Sequence, residues 1–180
     1  TNILVRMKDL ATQSADGSST GSDRTAMQAE YNSLTSELSN IVGNTTFGGT
    51  SLFSLAAAPA AGKFGAAVDF QIGASTAEKM TVNISAGLTA MHNAIVAATG
   101  AYSPGAAPAG PANATVGTEI SDTAANDGLG AGKANQSIDR LSAAIDKVST
   151  VRSSLGATSN RLDHVYNNLS NISNNTKAAT

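Results

Sequence analysis

Two histidines, His92 and His164, and no cysteine at all set the first limit on the chemistry this 180-residue chain can host. Without cysteine there is no disulfide framework, no thiolate metal site and no cysteine nucleophile. The histidines belong to different elements, and neither has a neighbour at metal-ligand spacing, so each is expected on a solvated helix face. Asp163-His164 and Asp139-Arg140 are adjacent pairs, and adjacent helical residues do not face each other. Both read as surface charges. The carboxylate pairs Asp16/Asp23 and Asp122/Asp127 lie in glycine-rich surroundings, where pre-organisation for acid–base work is hard to obtain. They also lack the dense oxygen-ligand loop of a calcium site. Phe47-Gly48-Gly49-Thr50 has no lysine in the register a phosphate loop needs. Triplets such as Asn44-Thr45-Thr46 and Asn168-Leu169-Ser170 are expected by chance in a chain so rich in Asn, Ser and Thr. No catalytic set, metal set or cofactor site is expected, and the chain does not read as an enzyme.

What the spacing does carry is packing. Leu141, Val148, Leu155, Leu162 and Leu169 recur every seven positions, with Ile138 and Ile145 three residues ahead of the first two. Such a seam needs a partner helix to cover it. The pattern predicts a last helix of about 45 residues, spanning roughly 65 Å. Full burial of Leu155 in that seam would make its truncation to alanine cost about 2–5 kcal/mol. Met27, Tyr31, Leu34, Leu38, Ile41 and Val42 give a second helix, capped by Ser22 or Asp23 and stopped by Gly43. Ile3, Leu4, Met7, Leu10 and Ala11 give a first helix, broken at Asp16-Gly17. That helix has no cap at residue 1 and is expected to continue upstream, and the polar Asn174–Thr180 stretch ends abruptly.

In the middle of the chain the helical period fades. Phe47-Gly48-Gly49 predicts a turn, and the Ala/Gly stretch 56–65 with Pro59 predicts a loop. Val68, Phe70 and Ile72 alternate with polar residues, as do Met80, Val82 and Ile84, which predicts a β-hairpin over about 67–84. A lone two-stranded hairpin is marginal, so it should lie against the helices. Leu88, Met91, Ile95 and Val96 mark a short amphipathic stretch. Residues 100–132, with Pro104, Pro108 and Pro111, hold too few large apolar residues for a core of their own. The domain reading is therefore 1–85 as two helices plus hairpin, 86–132 as a short insert, and 133–180 as the long helix. Only 4% of residues are aromatic, which favours thin helices over a thick core. A net charge of −2 with scattered basic residues excludes a concentrated nucleic-acid patch. No apolar run reaches the roughly 20 residues of a membrane span, and no signal peptide is visible. The fold class expected is mainly α: an elongated bundle of long antiparallel helices with a hairpin alongside.

Several motifs resemble bacterial flagellin. Arg6-Met7-Lys8-Asp9-Leu10-Ala11-Thr12-Gln13-Ser14 is similar to the family's Arg-x-(Arg/Lys)-acidic-Leu-Ala-x-Gln-Ser stretch. Ser22-Asp23-Arg24 and Gln28-Ala29-Glu30 follow in the family's order. Thr46-Phe47-Gly48-Gly49 resembles its Thr-x-Phe-Asn-Gly turn, with glycine in place of asparagine, and Phe70-Gln71-Ile72-Gly73-Ala74 resembles its Gln-(Ile/Val)-Gly-Ala strand. Arg152-Ser153-Ser154-Leu155-Gly156-Ala157-Thr158-Ser159-Asn160-Arg161-Leu162 resembles Arg-x-x-Leu-Gly-Ala-x-x-Asn-Arg-Leu. The likeness covers about residues 1–85 and 133–180.

The resemblance implies the rod domain of a structural subunit that polymerises into the extracellular flagellar filament for motility. The terminal helices that relatives place in an inner coiled coil are expected outside this stretch, so the stretch itself is expected to be monomeric. The rival within the architecture is a hook–filament junction protein. A polysaccharide- or adhesion-type binder is disfavoured because Tyr102 is the insert's one aromatic. Implied partners are other flagellin subunits, an export chaperone of the type III system, the filament cap and the animal Toll-like receptor for flagellin. Arg6, Leu10 and Glu30 match positions the family uses at that receptor interface.

Overall fold

The computed structural model describes residues 1–54, 62–73, 75–104, 117–121 and 133–178. The loop predicted around Pro59, Pro108, Pro111 and the Asp122/Asp127 pair lie outside those residues. Along the chain come α1 (Asn2–Ala15), α2 (Gly21–Asn44), β1 (Thr46–Phe47), β2 (Thr50–Ser51), β3 (Val68–Gln71), β4 (Lys79–Val82), α3 (Ser85–Ala98) and α4 (Lys133–Ala178). The bundle is mainly helical, as expected. The two short sheets are both antiparallel pairs, β1 with β2 and β3 with β4.

Helix α1 buries Leu4, Met7, Leu10, Ala11 and Ser14, a stripe spaced three and four apart. It packs against both α4 and α2, and α3 packs against α4. The corner between α1 and α2 departs from expectation by a few residues. Thr20, not Ser22 or Asp23, caps α2: its hydroxyl oxygen accepts the Asp23 N–H, while the Asp23 carboxylate accepts the Thr20 N–H at 3.0 Å. This reciprocal box satisfies two otherwise orphaned donors. Arg24 then donates to the carbonyls of Ser14 (2.9 Å) and Asp16 (3.0 Å), closing the end of α1. The Ser-Asp-Arg sequence thus ties the end of one helix to the start of the next.

Gly43 does not stop α2, which runs through it to Asn44 with Thr45 as its C-cap. A glycine inside a helix costs up to about 1 kcal/mol, which flanking helical residues can offset. The buried stripe of α2 also differs from the apolar pattern. Gln28 and Thr35 are buried with Met27, Tyr31 and Leu38, while Ile41 is half exposed. Phe47-Gly48-Gly49 makes the expected turn, with both glycines at positive φ (59° and 76°). That geometry suits the two central residues of a tight hairpin and disfavours side chains.

The hairpin β3–β4 pairs Val68 with Val82 and Gln71 with Lys79. Met80 and Val82 point into the core. Gln71 closes the hairpin end by donating to the carbonyls of Gly73 (2.7 Å) and Ser75 (2.6 Å). Further back, Gly62 passes so close to the Ser54 and Leu52 backbone that a Cβ there would fall 2.6–2.7 Å from main-chain atoms.

Helix α4 has 46 residues, about 69 Å long at 1.5 Å each. The column Leu141, Val148, Leu155, Leu162 does face the bundle, but its partner column is not Ile138 and Ile145. Ser137, Ala144 and Val151 fill the buried positions instead, and the two isoleucines are only partly buried. Small residues allow the close approach of α1 and α3 on either side. Burial also fades along the helix: Leu141 is fully buried, Leu155 partly, and Leu169 is 40% exposed. The expectation of a fully buried Leu155 is therefore corrected: from Leu155 on, the seam is only partly covered.

The segment after α3 contributes to the core of the helices. Tyr102, Pro104 and Ile120 are buried against the bundle, as is Glu119. Residues 86–132 are thus partly built into the rod, through α3, the strap 99–104 and the loop 117–121.

Candidate interaction site

The three residues singled out for partner binding do not share one surface. Arg6 and Glu30 do meet: the Arg6 Nε donates to Glu30 Oε1 at 2.7 Å across α1 and α2, with side chains 53% and 45% exposed. The Glu30 hydrogen bond, then its charge, raise the Arg6 guanidinium pKa. Leu10, four residues on, is only 2% exposed. An anchor with Leu10 on the surface is not what the fold makes. The residue is buried in the stripe it shares with Met7 and Ala11.

Glu30 and Gln28 show how one short motif serves two faces of α2. Glu30 points outward to Arg6, whereas Gln28 is 4% exposed and holds a polar knot. Its Nε2 donates to Glu119 (2.7 Å) and to Asn32 (2.9 Å). Its Oε1 accepts the N–H groups of Ile120 (2.7 Å) and Ser121 (3.1 Å). The buried Glu119 carboxylate accepts from the N–H groups of Gly100 (3.2 Å) and Gly117 (3.0 Å) as well. Ser14 donates to the Ile120 carbonyl and Ser137 to the Glu119 carbonyl, so α1 and α4 join the knot. Sequence reasoning missed all of it. Gln28 and Glu119 are 91 residues apart, and no local pattern announces a pairing at that distance.

The histidines divide in the same way. His164 is exposed on α4, as expected, but His92 is fully buried in α3. Its Nε2 lies 2.9 Å from the Phe53 carbonyl and its Nδ1 3.1 Å from the Tyr102 hydroxyl. Burial pushes its pKa down, and the Phe53 carbonyl opposes this less strongly. The expectation of a solvated imidazole is therefore corrected. Its apolar neighbours Leu88, Met91 and Ile95 already placed one face of α3 in the core, and that was the available signal. Tyr102 is 3% exposed, so the insert's one aromatic offers no stacking surface for a sugar. Among the described residues, no group of three His, Asp or Glu gathers to hold a metal, and no helix is long and apolar enough to cross a membrane.

Three exposed apolar side chains lie on the last stretch of α4. Tyr166, Leu169 and Ile172 stand 74%, 40% and 52% exposed on the last turns of α4. Leu169 and Ile172 line a groove of about 740 Å³ with Ile72, Gly73 and the Ala77-Glu78-Lys79 end of the hairpin. A second apolar hollow, about 510 Å³, lies between Phe47, Leu52, Phe64, Val68 and Phe70.

These features define a helical rod, closed at one end by polar knots and open along the lower half of its longest helix. Residues 1–58 match the bacterial flagellin N-terminal helical region and residues 138–180 the bacterial flagellin C-terminal helical region, between them more than half of the chain. Flagellin B of Vibrio anguillarum is 44% identical over 85 residues, which are 47% of this chain and 20% of that protein. Flagellin C of Vibrio cholerae is 44% identical over 84 residues, again 20% of its length. The crystal structure of Bacillus cereus flagellin matches with a TM-score of 0.63 at 28% identity, covering 93% of this chain and 76% of that one. The chain belongs to the bacterial flagellin family. The matched stretch spans a fifth of the length of these curated relatives.

Proposed function

We propose that this chain is the rod portion of a structural subunit of the bacterial flagellar filament, polymerising outside the cell for motility and carrying no enzymatic activity. The observation that carries the reading is the lower half of α4. There the seven-residue column continues through Leu162 to Leu169 while its cover runs out, and Tyr166, Leu169 and Ile172 face solvent. A seam of this kind needs partner surface. Gly156 fits the same reading. It sits inside α4 at a cost of about 0.5–1 kcal/mol relative to alanine, yet a Cβ there would meet nothing within 4 Å in this chain. A close neighbour from another element or subunit would give the missing side chain a purpose. In this reading 1–85 and 133–180 supply the rod, 86–132 its variable part, and an export chaperone and filament cap are its assembly partners. Electron microscopy of the full-length protein tests it. Long filaments are expected, whereas protein confined to the hook–filament junction would overturn it.

We further propose recognition by the animal Toll-like receptor for flagellin through Arg6 and Glu30, with Leu10 holding their helix in place from below. An exposed, charged, pre-paired arginine is the type of residue in which interfaces concentrate energy. Binding of purified receptor ectodomain should weaken about tenfold or more in Arg6→Ala. Equal affinity would remove Arg6 from the site, and no binding to the unaltered chain would end the proposal.

A further inference from the structure

His92 is the only histidine of the two whose ring nitrogens are both engaged, and it engages the chain on both sides of α3. One partner is Phe53, in the segment that follows β2. The other is Tyr102, in the strap 99–104 that follows α3. Tyr31 ties the end of α3 to α2 by donating its hydroxyl to the Ala98 carbonyl (2.8 Å), and the Thr35–Thr99 hydroxyl pair (2.9 Å) ties the strap to α2. We propose that His92 is an acid-released latch, which in its neutral form ties the strap to α3 through Tyr102 and on protonation lets the strap go while keeping its bond to the Phe53 carbonyl.

The hydrogen-bond chemistry fixes the starting state. A carbonyl oxygen only accepts, so the Nε2 facing Phe53 carries the proton. Nδ1 is then a lone pair, and the Tyr102 hydroxyl donates to it. A second proton on the ring must go to Nδ1. It would meet the hydroxyl proton head-on, and the hydroxyl would have to turn away. Tyr102 is 3% exposed, and its hydroxyl has no other partner among the described residues. The cation would also sit in a fully buried position with only the Phe53 carbonyl, among the described residues, to favour it. The titratable group facing the ring is the Tyr102 phenol, itself held protonated by burial. Lys63, on the 3-10 turn Lys63–Gly65 packed against α3, is exposed, and no charged group of α2, α3 or α4 acts on the ring. The proton affinity of the ring is lowered by burial, and the Phe53 carbonyl offsets this less strongly.

The sign of the pH dependence follows. An unfolded histidine titrates near about 6.5, and the folded ring titrates lower. The latch is therefore fully closed above the unfolded value and weakens as pH falls below it. In that window the opening equilibrium rises by up to about tenfold per pH unit, and it levels off once the folded ring itself is charged.

An NMR titration of the His92 imidazole in the unaltered 180-residue chain, folded and in urea, tests this without any substitution. The folded His92 midpoint should lie below its midpoint in urea. Over about pH 7 to pH 5, the amides of Thr99 and Tyr102 should lose exchange protection, after correction for intrinsic rates, before those of α1 and α4. His92→Gln can donate and accept but cannot charge, and should abolish that loss. A His92 midpoint that is the same in the folded chain and in urea would overturn the proposal, as would Thr99 and Tyr102 protection that stays constant in the unaltered chain. A loss of the same size in a folded His92→Gln variant would also overturn it.

Discussion

Helix α4 repeats one pattern along two stretches with different fates. From Ala134 to Val151 it lies between α1 and α3, and Ser137, Leu141, Ala144 and Val151 are buried. From Arg152 to Ala178 the seven-residue column goes on, yet Leu155 and Leu162 are only partly covered and Leu169 and Ile172 are exposed. The comparison teaches that a heptad states a demand for cover without saying who supplies it. In the upper stretch two helices of the same chain, α1 and α3, meet the demand. In the lower stretch the hairpin meets part of it, and the remainder is the surface on which the proposed assembly rests.

The largest effect that would sharpen this contrast comes from paired truncations. Leu141→Ala should destabilise the chain by about 2–5 kcal/mol, since it removes a fully buried side chain. Leu169→Ala, 40% exposed, should stay within about 0.5 kcal/mol. Leu155→Ala should fall between them. Urea unfolding curves of the three variants give the order, and equal losses at Leu141 and Leu169 would erase the distinction between the stretches.

A second contrast is polar. The upper end is fastened by the Gln28–Glu119 knot, which joins α1, α2, α4 and the loop 117–121. Gln28→Leu should cost about 1–3 kcal/mol, because it strips Glu119 of a donor and leaves the Ile120 and Ser121 N–H groups unpaired in a buried place. Asn160→Ala, on the exposed lower α4, should change stability by no more than about 0.5 kcal/mol. The two midpoints in denaturant decide it.

These contrasts also mark how far the sequence could be read. Helix positions, the β3–β4 hairpin and the glycine turn were legible because each is written in local spacing or local backbone need. The family motifs were legible as strings, and the structure gives several of them a physical role. Asp23 and Arg24 build the α1–α2 corner, Gln71 closes the hairpin end, and Glu30 pairs with Arg6. What was not legible is which polar residues go inside. Gln28, Glu119, Ser14, Ser137 and His92 are buried because distant groups satisfy them, and such partners leave no periodic trace. The same holds for the choice of Ser137 and Ala144 over Ile138 and Ile145. Apolarity favoured the isoleucines, whereas the close approach of two neighbouring helices favoured the small residues. Of the candidate interaction site, the Arg6–Glu30 proximity followed from the turn between α1 and α2. The burial of Leu10 did not, because whether the hydrophobic stripe of α1 or the receptor-type face claims that position depends on how α1 rolls against α4.

The smallest effect concerns the charged corner that begins the upper stretch, and it appears only in acid. Asp23 has its carboxyl pKa lowered, first by the Thr20 hydroxyl and then by the Thr20 N–H, and Asp16 has its own lowered by Ser18. A carboxyl whose folded value lies below its unfolded one, about 3.9, contributes stability that is present above that unfolded value. The contribution is lost as pH falls through the folded value. Asp23→Asn keeps the shape and an accepting oxygen but carries no charge, so its melting temperature should fall less steeply than that of the unaltered chain over about pH 5 to pH 2. Thr20→Val, which removes the hydroxyl and keeps the N–H, should recover part of that flattening, since the hydroxyl is the larger of the two influences on Asp23. Parallel acid limbs in all three proteins would mean that the capping box does not hold the Asp23 charge in solution. The α1–α2 corner would then owe its geometry to Arg24 on the Ser14 and Asp16 carbonyls.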